Sequence, residues 1–180
     1  DVSPAVSVTY GTAVKLQLLI PGETANPGNT SSATPGKTGT PTTRITGAPF
    51  IGTVNAVDNY WNLNTTITQS MTITTSDAND TEPSSLNLVL GTMTYSITLK
   101  TAGASHTITA SDTDPLTPLY VANTSPVFTC DPGDAVKLQL LVTGETAAPG
   151  TSTGKTAGSP SNRTAGTSFN ATVNCVDAYY

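Results

Sequence analysis

Short stretches of alternating apolar and polar residues run through the middle of this chain. Alternation with period two places every second side chain on one face of a β-strand. Thr or Ser fills most of the polar positions. The pattern predicts several short strands whose core-facing positions are Ile67, Met71 and Ile73; Leu86, Leu88 and Leu90; Met93, Tyr95, Ile97 and Leu99; and Ile108 and Ala110.

Composition favours strands over helices. The 180 residues include 36 Thr and 16 Ser but only 11% charged residues, and 15 Gly and 13 Pro mark frequent turns. β-branched side chains fit a pleated sheet, whereas the Lys, Glu and Arg that usually cover solvated helix faces are scarce. No apolar stretch approaches the roughly 18–20 residues of a membrane-spanning helix, so we expect no membrane insertion in this segment. The net charge of -5 and the isolated basic residues argue against nucleic-acid binding.

Part of the sequence occurs twice. VKLQLL stands at 14–19 and again at 136–141, and TVNAVDNY at 53–60 corresponds to TVNCVDAY at 172–179. We call residues 14–60 the early copy and residues 136–179 the late copy. In each copy a Gly/Pro/Thr-rich segment, residues 21–50 or 143–169, separates the two motifs. The spacing of about 120 residues matches one β domain and is too long for a solenoid unit.

These observations predict an all-β chain of β-sandwich repeats in tandem. Residues 11–131 would form one complete sandwich, with the Gly/Pro/Thr-rich segment as a long insertion after the opening strand. Residues 132–180 would supply the opening strands of the next repeat, which is incomplete. Two strands alone are marginal in water. The expected partners are therefore neighbouring repeats of the same protein or identical chains in a polymer.

A family resemblance accompanies this pattern. The motifs FIGTVNAVDNYWN, ITTSD, LVLGTMTYSITLKTAG and HTITASD, in this order, resemble the bacterial immunoglobulin-like (Big) repeats of very large secreted surface proteins. The resemblance covers nearly all of 11–131 and resumes at 136–180. It implies immunoglobulin-like sandwiches in series, in cell-surface adhesins, stalks or filaments. It also implies that residues 1–10, which precede the first KLQLL motif, are the last strand of a preceding repeat. The long Gly/Pro/Thr-rich segment departs from the plainest members of that family.

The two cysteines distinguish the copies. Cys130 corresponds to Val8 and Cys175 to Ala56, so both thiols are absent at the earlier positions and present at the later ones. Two side chains in contact would change together in this way. The comparison predicts a disulfide between Cys130 and Cys175, which would add about 3–4 kcal/mol of stability on the chain-entropy model and imply an oxidising compartment. The alternative is two unrelated buried thiols.

Acidic residues cluster in predicted turns near the domain ends. Carboxylate oxygens at short spacing suit Ca²⁺. Asp is also an ordinary turn residue, because its side chain accepts hydrogen bonds from nearby backbone N–H groups. Both interpretations stay open, and no other cofactor is expected. The calcium candidates are Asp112, Asp114, Asp131 and Asp134, and a further acidic group is Asp77, Asp80 and Glu82.

Charged residues also recur at matching points of the two copies. Lys15 and Lys137 stand in the opening strands, and Asp58 and Asp177 follow the closing motifs. A surface ion pair is the expected arrangement, worth up to about 1 kcal/mol. A covalent Lys–Asp cross-link is the alternative, and a mass 17 or 18 Da below the calculated value would reveal it.

Motifs for catalysis or nucleotide binding are incomplete. The chain has one histidine, His106, and no serine in a nucleophile-elbow setting. Gly36-Lys37-Thr38 and Gly154-Lys155-Thr156 match only the end of a phosphate-binding loop and are expected to be turns. We therefore expect no enzyme. The sequence favours an extracellular structural protein that forms a cell-surface stalk or filament, and the alternative is an adhesin module that binds carbohydrate or another cell.

Overall fold

The computed structural model describes residue 2 and residues 4–114, 119–156 and 160–180. Within these ranges the chain is all β, as predicted, and has no helix. None of the described residues belongs to a long apolar helix of the kind that crosses a membrane. The strands are β1 (Lys15–Leu19), β2 (Glu23–Ala25), β3 (Lys37–Gly39), β4 (Arg44–Ile45), β5 (Phe50–Val57), β6 (Ser70–Thr75), β7 (Leu86–Asn87), β8 (Thr92–Ile97), β9 (Gly103–His106), β10 (Ile108–Asp112), β11 (Asn123–Thr124), β12 (Phe128–Asp131), β13 (Lys137–Val142) and β14 (Ala171–Val176).

The strands form five small sheets in the described residues, and three of these sheets contribute side chains to one core. The larger sheets have the orders β1-β5-β8, β11-β10-β6-β7 and β4-β12-β9, and β2-β3 and β13-β14 are two-stranded. All pairs are antiparallel except β4 with β12, which is parallel. This arrangement is consistent with a β-sandwich, in which the apolar faces of two sheets pack against each other.

The predicted alternation places most of the expected residues in the core. The β6, β8 and β10 strands bury every second side chain, because one face of each strand turns inward. The core cluster also contains residues of β1, β5 and β12. Its members from the predicted faces are Met71, Ile73, Leu88, Met93, Tyr95, Ile97, Leu99, Ile108 and Ala110, with Ile67 and Leu86 packed partly against them.

Leu90 departs from the predicted core face. It is 65% exposed and has a positive φ of 52°, and Gly91 follows with a φ of 77°. Val89 and Thr92 exchange two backbone hydrogen bonds around these two residues. Two consecutive left-handed residues form the tight turn that suits the twist of a hairpin. The strand prediction was wrong at Leu90 because the turn begins one residue before the glycine.

The N-terminal segment, predicted to be the last strand of a preceding repeat, is not in a strand in the described residues 4–10. Residues 1 and 3 lie outside the described residues. Apolar side chains here face solvent, with Val6 83% and Val8 91% exposed. The domain boundaries at 10 and 131 stay predictions.

The Gly/Pro/Thr-rich segment of the early copy is held against β1 and β5 by a buried polar side chain. Gln17, 1% exposed, donates from Nε2 to the Gly36 carbonyl at 2.6 Å. Its Oε1 accepts a hydrogen bond from Asn55 Nδ2 at 2.8 Å. Burial of an amide without partners would be costly, so these bonds fix the segment to the sheet. The indole of Trp61 packs on the Gly36 backbone.

The late copy repeats this arrangement. Lys137 pairs with Val176 at one end of β13 as Lys15 pairs with Val57 in β1. Gln139 Nε2 donates to the Gly154 carbonyl at 2.6 Å, and Asn174 Nδ2 donates to Gln139 Oε1 at 2.9 Å. The repeated sequence therefore sets the pairing register of the two strands and the attachment of the loop between them, because both copies show these features although their surroundings differ.

Gly36 and Gly28 test the packing of the segment. Both have a positive φ, of 74° and 80°, but a Cβ on Gly36 would lie 2.2 Å from Trp61 Cδ2 whereas a Cβ on Gly28 would meet nothing within 4 Å. Gly28→Ala is expected to cost only backbone strain, about 1–2 kcal/mol. Gly36→Ala should cost a further ~1–3 kcal/mol because the indole must move. Urea unfolding of both variants measures the difference, and equal losses would contradict this packing.

Candidate functional site

The carboxylate of Asp177 joins three parts of the chain. Asp177 directly follows β14 and is 7% exposed. It accepts hydrogen bonds from the Thr46 hydroxyl, from the Gly133 N–H at 2.9 Å and from the Tyr179 N–H at 2.7 Å. Thr46 belongs to the Gly/Pro/Thr-rich segment of the early copy, and Gly133 to the linker after β12. We call this group of residues the junction.

Strand pairing brings Thr46 to the junction. Residues Arg44 and Ile45 pair in parallel with β12, and the Thr46 N–H continues the ladder by donating to the Asp131 carbonyl at 2.9 Å. The Gly133 N–H also donates to Thr46 Oγ1 at 2.8 Å. The hydroxyl of Thr46 therefore acts as acceptor from the linker and donor to the late copy.

Hydrogen bonds keep Asp177 ionised. Burial by itself raises the pKa of this carboxyl group, but the bonds from Thr46, Gly133 and Tyr179 outweigh burial and hold the pKa below its ordinary value. The junction therefore contains a partly buried negative charge whose oxygens accept from three segments. Removal of any donor leaves part of that charge without a partner.

A second contact lies beside the first. A Cβ on Gly47 would be 2.4 Å from the Tyr179 ring, so the Gly47 backbone and this ring touch. Asn79 Nδ2 lies 3.5 Å from the Pro149 carbonyl, and the Gly150 backbone lies against Thr101. The Gly/Pro/Thr-rich segment of the late copy thus contacts the chain at Asn79 and Thr101.

The turn that receives this contact is ordered by Asp77. Its carboxylate accepts from the N–H groups of Lys100 at 2.7 Å, Thr101 at 2.8 Å and Asn79 at 3.0 Å, and from the Thr101 hydroxyl at 2.8 Å. Burial raises the pKa of Asp77, but these bonds outweigh it and the pKa lies below its usual value. The surface under Pro149 is therefore preformed.

Asp58 occupies the position of Asp177 in the early copy. It accepts from the N–H groups of Gly11 at 2.8 Å, Tyr60 at 2.8 Å and Asn62 at 3.0 Å. Gly11 precedes the early copy as Gly133 precedes the late copy. The bond between linker glycine and aspartate therefore recurs at the start of each copy.

The recurring lysines make contacts that the sequence did not predict. Lys15 Nζ donates to the Asn59 carbonyl at 2.9 Å and lies 3.7 Å from the centre of the Trp61 ring. Lys137 repeats both contacts with Ala178 and Tyr180. Burial lowers the pKa of Lys15, and the nearby carboxylate of Asp58 opposes that change.

The two Gly-Lys-Thr motifs place their lysines in ion pairs inside the Gly/Pro/Thr-rich segments. Lys37 Nζ lies 3.0 Å from Glu23 Oε1, and the side chains are 8% and 1% exposed. Lys155 and Glu145 repeat the pair at 2.9 Å. Lys37 also donates to the Leu18 carbonyl at 2.8 Å. Lys37 therefore joins the segment to the edge of β1. The expected turn is found only at the start of the motif, because Lys37 and Thr38 belong to β3.

The cysteines are free thiols in the structure. Cys130 lies in β12 and is 1% exposed, within the hydrophobic core. Cys175 lies in β14 and is exposed, next to the linker and Lys100 around a cavity of about 420 Å³. Burial raises the pKa of Cys130 to about 11, and the carboxylates of Asp77 and Asp131 add to the rise. The disulfide stays a prediction.

The calcium candidates lie in separate surroundings. Asp112 accepts from the N–H groups of Asp114 and Tyr120, each at 3.0 Å, as a turn residue does. Asp131 ends β12 and Asp134 lies in the linker, and both residues are exposed. In the described ranges no three His, Cys, Asp or Glu side chains come together as a metal site. The calcium site at these residues stays a prediction.

His106 is buried against Phe128, with ring centroids 6.1 Å apart. Neither ring nitrogen has a hydrogen-bond partner in the part of the chain that the structure describes.

Sequence reasoning missed Thr46. Its counterpart in the late copy is Ala165, so the comparison of copies gave no signal for it. The recurrence of Asp58 and Asp177 did mark both carboxylates. Their actual donors are mostly backbone N–H groups, which carry no sequence signature.

The chain was compared with protein-family models, with curated proteins and with solved structures, and none of them matches it.

Asp80, in the turn at 75–82, should make the stability of the protein depend on pH. Thr75 donates its hydroxyl to Asp80 and its N–H to Glu82. Burial raises the pKa of Asp80 from 3.8 to about 6; the bond from Thr75 opposes this, and the Glu82 charge adds to it. Because the folded state takes up this proton more readily than the unfolded state, Asp80 should make the protein more stable as pH falls from 7.5 to 5.

The melting temperature of wild type and Asp80→Asn across this pH range measures that effect. The variant cannot gain stability from protonation at position 80, so the difference in melting temperature between the two proteins should change with pH. Parallel curves would show that Asp80 has no raised pKa.

The predicted Cys130–Cys175 disulfide is tested by labelling. Under native oxidising conditions, we expect no thiol to react after denaturation without reductant, and two to react after reduction. Two labelled cysteines in the unreduced, denatured protein would refute the bridge.

Proposed function

We propose that this chain is part of an extracellular structural protein in which immunoglobulin-like sandwiches follow one another in series and form a cell-surface stalk or filament. The Gly/Pro/Thr-rich segment is an insertion that bridges consecutive repeats. The observation that carries the proposal is the junction, where Thr46 of one repeat and Asp177 of the next are hydrogen bonded. The role is mechanical and uses no catalytic step.

The junction supports a stiff connection. Domains joined only by a linker are expected to move relative to one another, unless their interface is large or well held. Here the linker amide of Gly133, the side chain of Thr46 and the carboxylate of Asp177 share mutual hydrogen bonds. Bending the connection would separate a charged acceptor from two donors.

The recurrence of the Gly11–Asp58 bond supports a serial arrangement. This bond orders the entry to the early copy in the way that Gly133–Asp177 orders the entry to the late copy. A connection built into each copy can be used again at every repeat. The extracellular location is proposed from the resemblance to surface repeats and from the predicted disulfide.

An adhesin module is the second candidate function. A cleft of about 450 Å³ lies between the early Gly/Pro/Thr-rich segment and the end of the first domain, and its polar lining includes Thr34, Lys37, Asn123 and Ser125. Such groups can hydrogen bond a carbohydrate. Saturable binding to a glycan array, lost on substitution of Asn123 by Ala, would favour this candidate.

Electron microscopy of native material tests the proposed stalk. An antibody raised against residues 1–180 should label extended filaments at a regular interval, because each repeat presents related surfaces. A preimmune antibody serves as the control. Labelling confined to dispersed globular particles would contradict a stalk or filament.

A further inference from the structure

The late copy has an exposed apolar face that is buried in the early copy. Its side chains follow the same register, so each has a counterpart in the core of the first domain. The exposed fractions are 68% for Leu138, 51% for Leu140, 59% for Val173 and 54% for Phe169, against 1% for Leu16, 0% for Leu18, 0% for Val54 and 7% for Phe50. A contiguous apolar face of this kind marks a binding surface.

In the early copy, a later part of the chain lies beside β1 at the edge of the corresponding apolar face. Residues 121–123 lie along the edge of β1: the Leu16 N–H donates to the Val121 carbonyl at 2.9 Å, and the Leu18 N–H to Asn123 Oδ1 at 2.9 Å. Phe128 then packs edge-on against Phe50, with ring centroids 6.4 Å apart. We call residues 121–131 the closing segment.

The N-terminal segment of the chain corresponds to the second half of this closing segment, residues 126–131. At the offset that relates the two VKLQLL motifs, Pro4 matches Pro126, Val6 matches Phe128 and Val8 matches Cys130. Phe128 and Cys130 are 4% and 1% exposed, whereas Val6 and Val8 are 83% and 91% exposed. One molecule therefore presents both an uncovered face and a segment of the type that covers it.

We propose that residues 4–10 of one molecule bind the β13–β14 face of another molecule, with Val6 packed on Phe169 as Phe128 packs on Phe50. The occupant is thus a second molecule of this chain. The inference rests on the proposed serial arrangement of repeats, and it adds a contact by which separate chains join end to end. The backbone bonds of Val121 and Asn123 have no counterpart within residues 4–10, so the contact rests on the side chains of Val6 and Val8.

The early face also shares one core with residues of β6 and β10, whose counterparts the donor segment does not supply. The association is therefore expected to be weaker than the folding of a complete domain and to depend on concentration. Residues 1–180 contain one donor segment and one acceptor face at different places, so the contact is head-to-tail and joins these 180-residue units into chains instead of closed pairs.

Sedimentation velocity of residues 1–180 over a range of concentrations tests the proposal. The wild type should form species of increasing length, whereas Val6→Asp and Leu140→Asp should each stay monomeric. Matched controls place the same charge nearby: Thr9→Asp, at the position where the closing segment itself has Asp131, and Thr172→Asp, on the opposite face of β14 from Val173. Both controls should associate as the wild type does.

A mixture of the two defective variants gives the decisive result. Val6→Asp retains the acceptor face and Leu140→Asp retains the donor segment, so an equimolar mixture should form a dimer and nothing longer. The backbone amide shifts of Gly133 and Tyr179 verify that Leu140→Asp keeps its hairpin.

Three results would overturn the proposal. They are a wild type that is monomeric at every concentration, a Val6→Asp variant that associates normally through its apolar face alone, and a mixture that stays monomeric. None of these results would contradict the hydrogen bonds of the junction or the proposed function. Dispersed particles in electron microscopy would contradict the proposed stalk, but the association between molecules could still be measured.

Discussion

The hydrogen bonds of Gln17 are the interaction on which the rest of the structure depends. Gln17 joins the Gly36 carbonyl to the buried sheet, and the ion pair of Lys37 with Glu23 holds the same loop at its base. Because the middle of the loop is held in place, Arg44 and Ile45 can pair with the edge of β12. Thr46 reaches Asp177 only because that pairing exists.

This dependence explains how a long loop with little apolar character is ordered. Ordering a loop costs conformational entropy, and few of its side chains enter the core. Buried hydrogen bonds offset this entropy cost, because breaking them would leave polar groups buried without a partner. The late copy makes the same bonds although its apolar face is uncovered. The loop is therefore organised by the opening strands themselves, before the rest of a sandwich is present.

The sequence predicted the parts of the fold that follow from alternation and repetition. The core positions of β6, β8 and β10 follow from period two, and the matching register of β13–β14 follows from the repeated motifs. Leu90 was assigned to the core because alternation does not show where a turn begins. Only one side chain of the junction could be identified by comparing the two copies, because Asp177 recurs and Thr46 does not. Backbone donors such as Gly133 became apparent only once the linker path was known.

Residual dipolar couplings of residues 1–180 in a weakly aligning medium test the stiffness of the junction most directly. The account predicts that amides of β13 and β14 fit the same alignment tensor as amides of β5, β8 and β10. A late copy with its own, smaller tensor in the wild type would show that it moves independently, and this result would contradict a bridging role for the contact between Thr46 and Asp177.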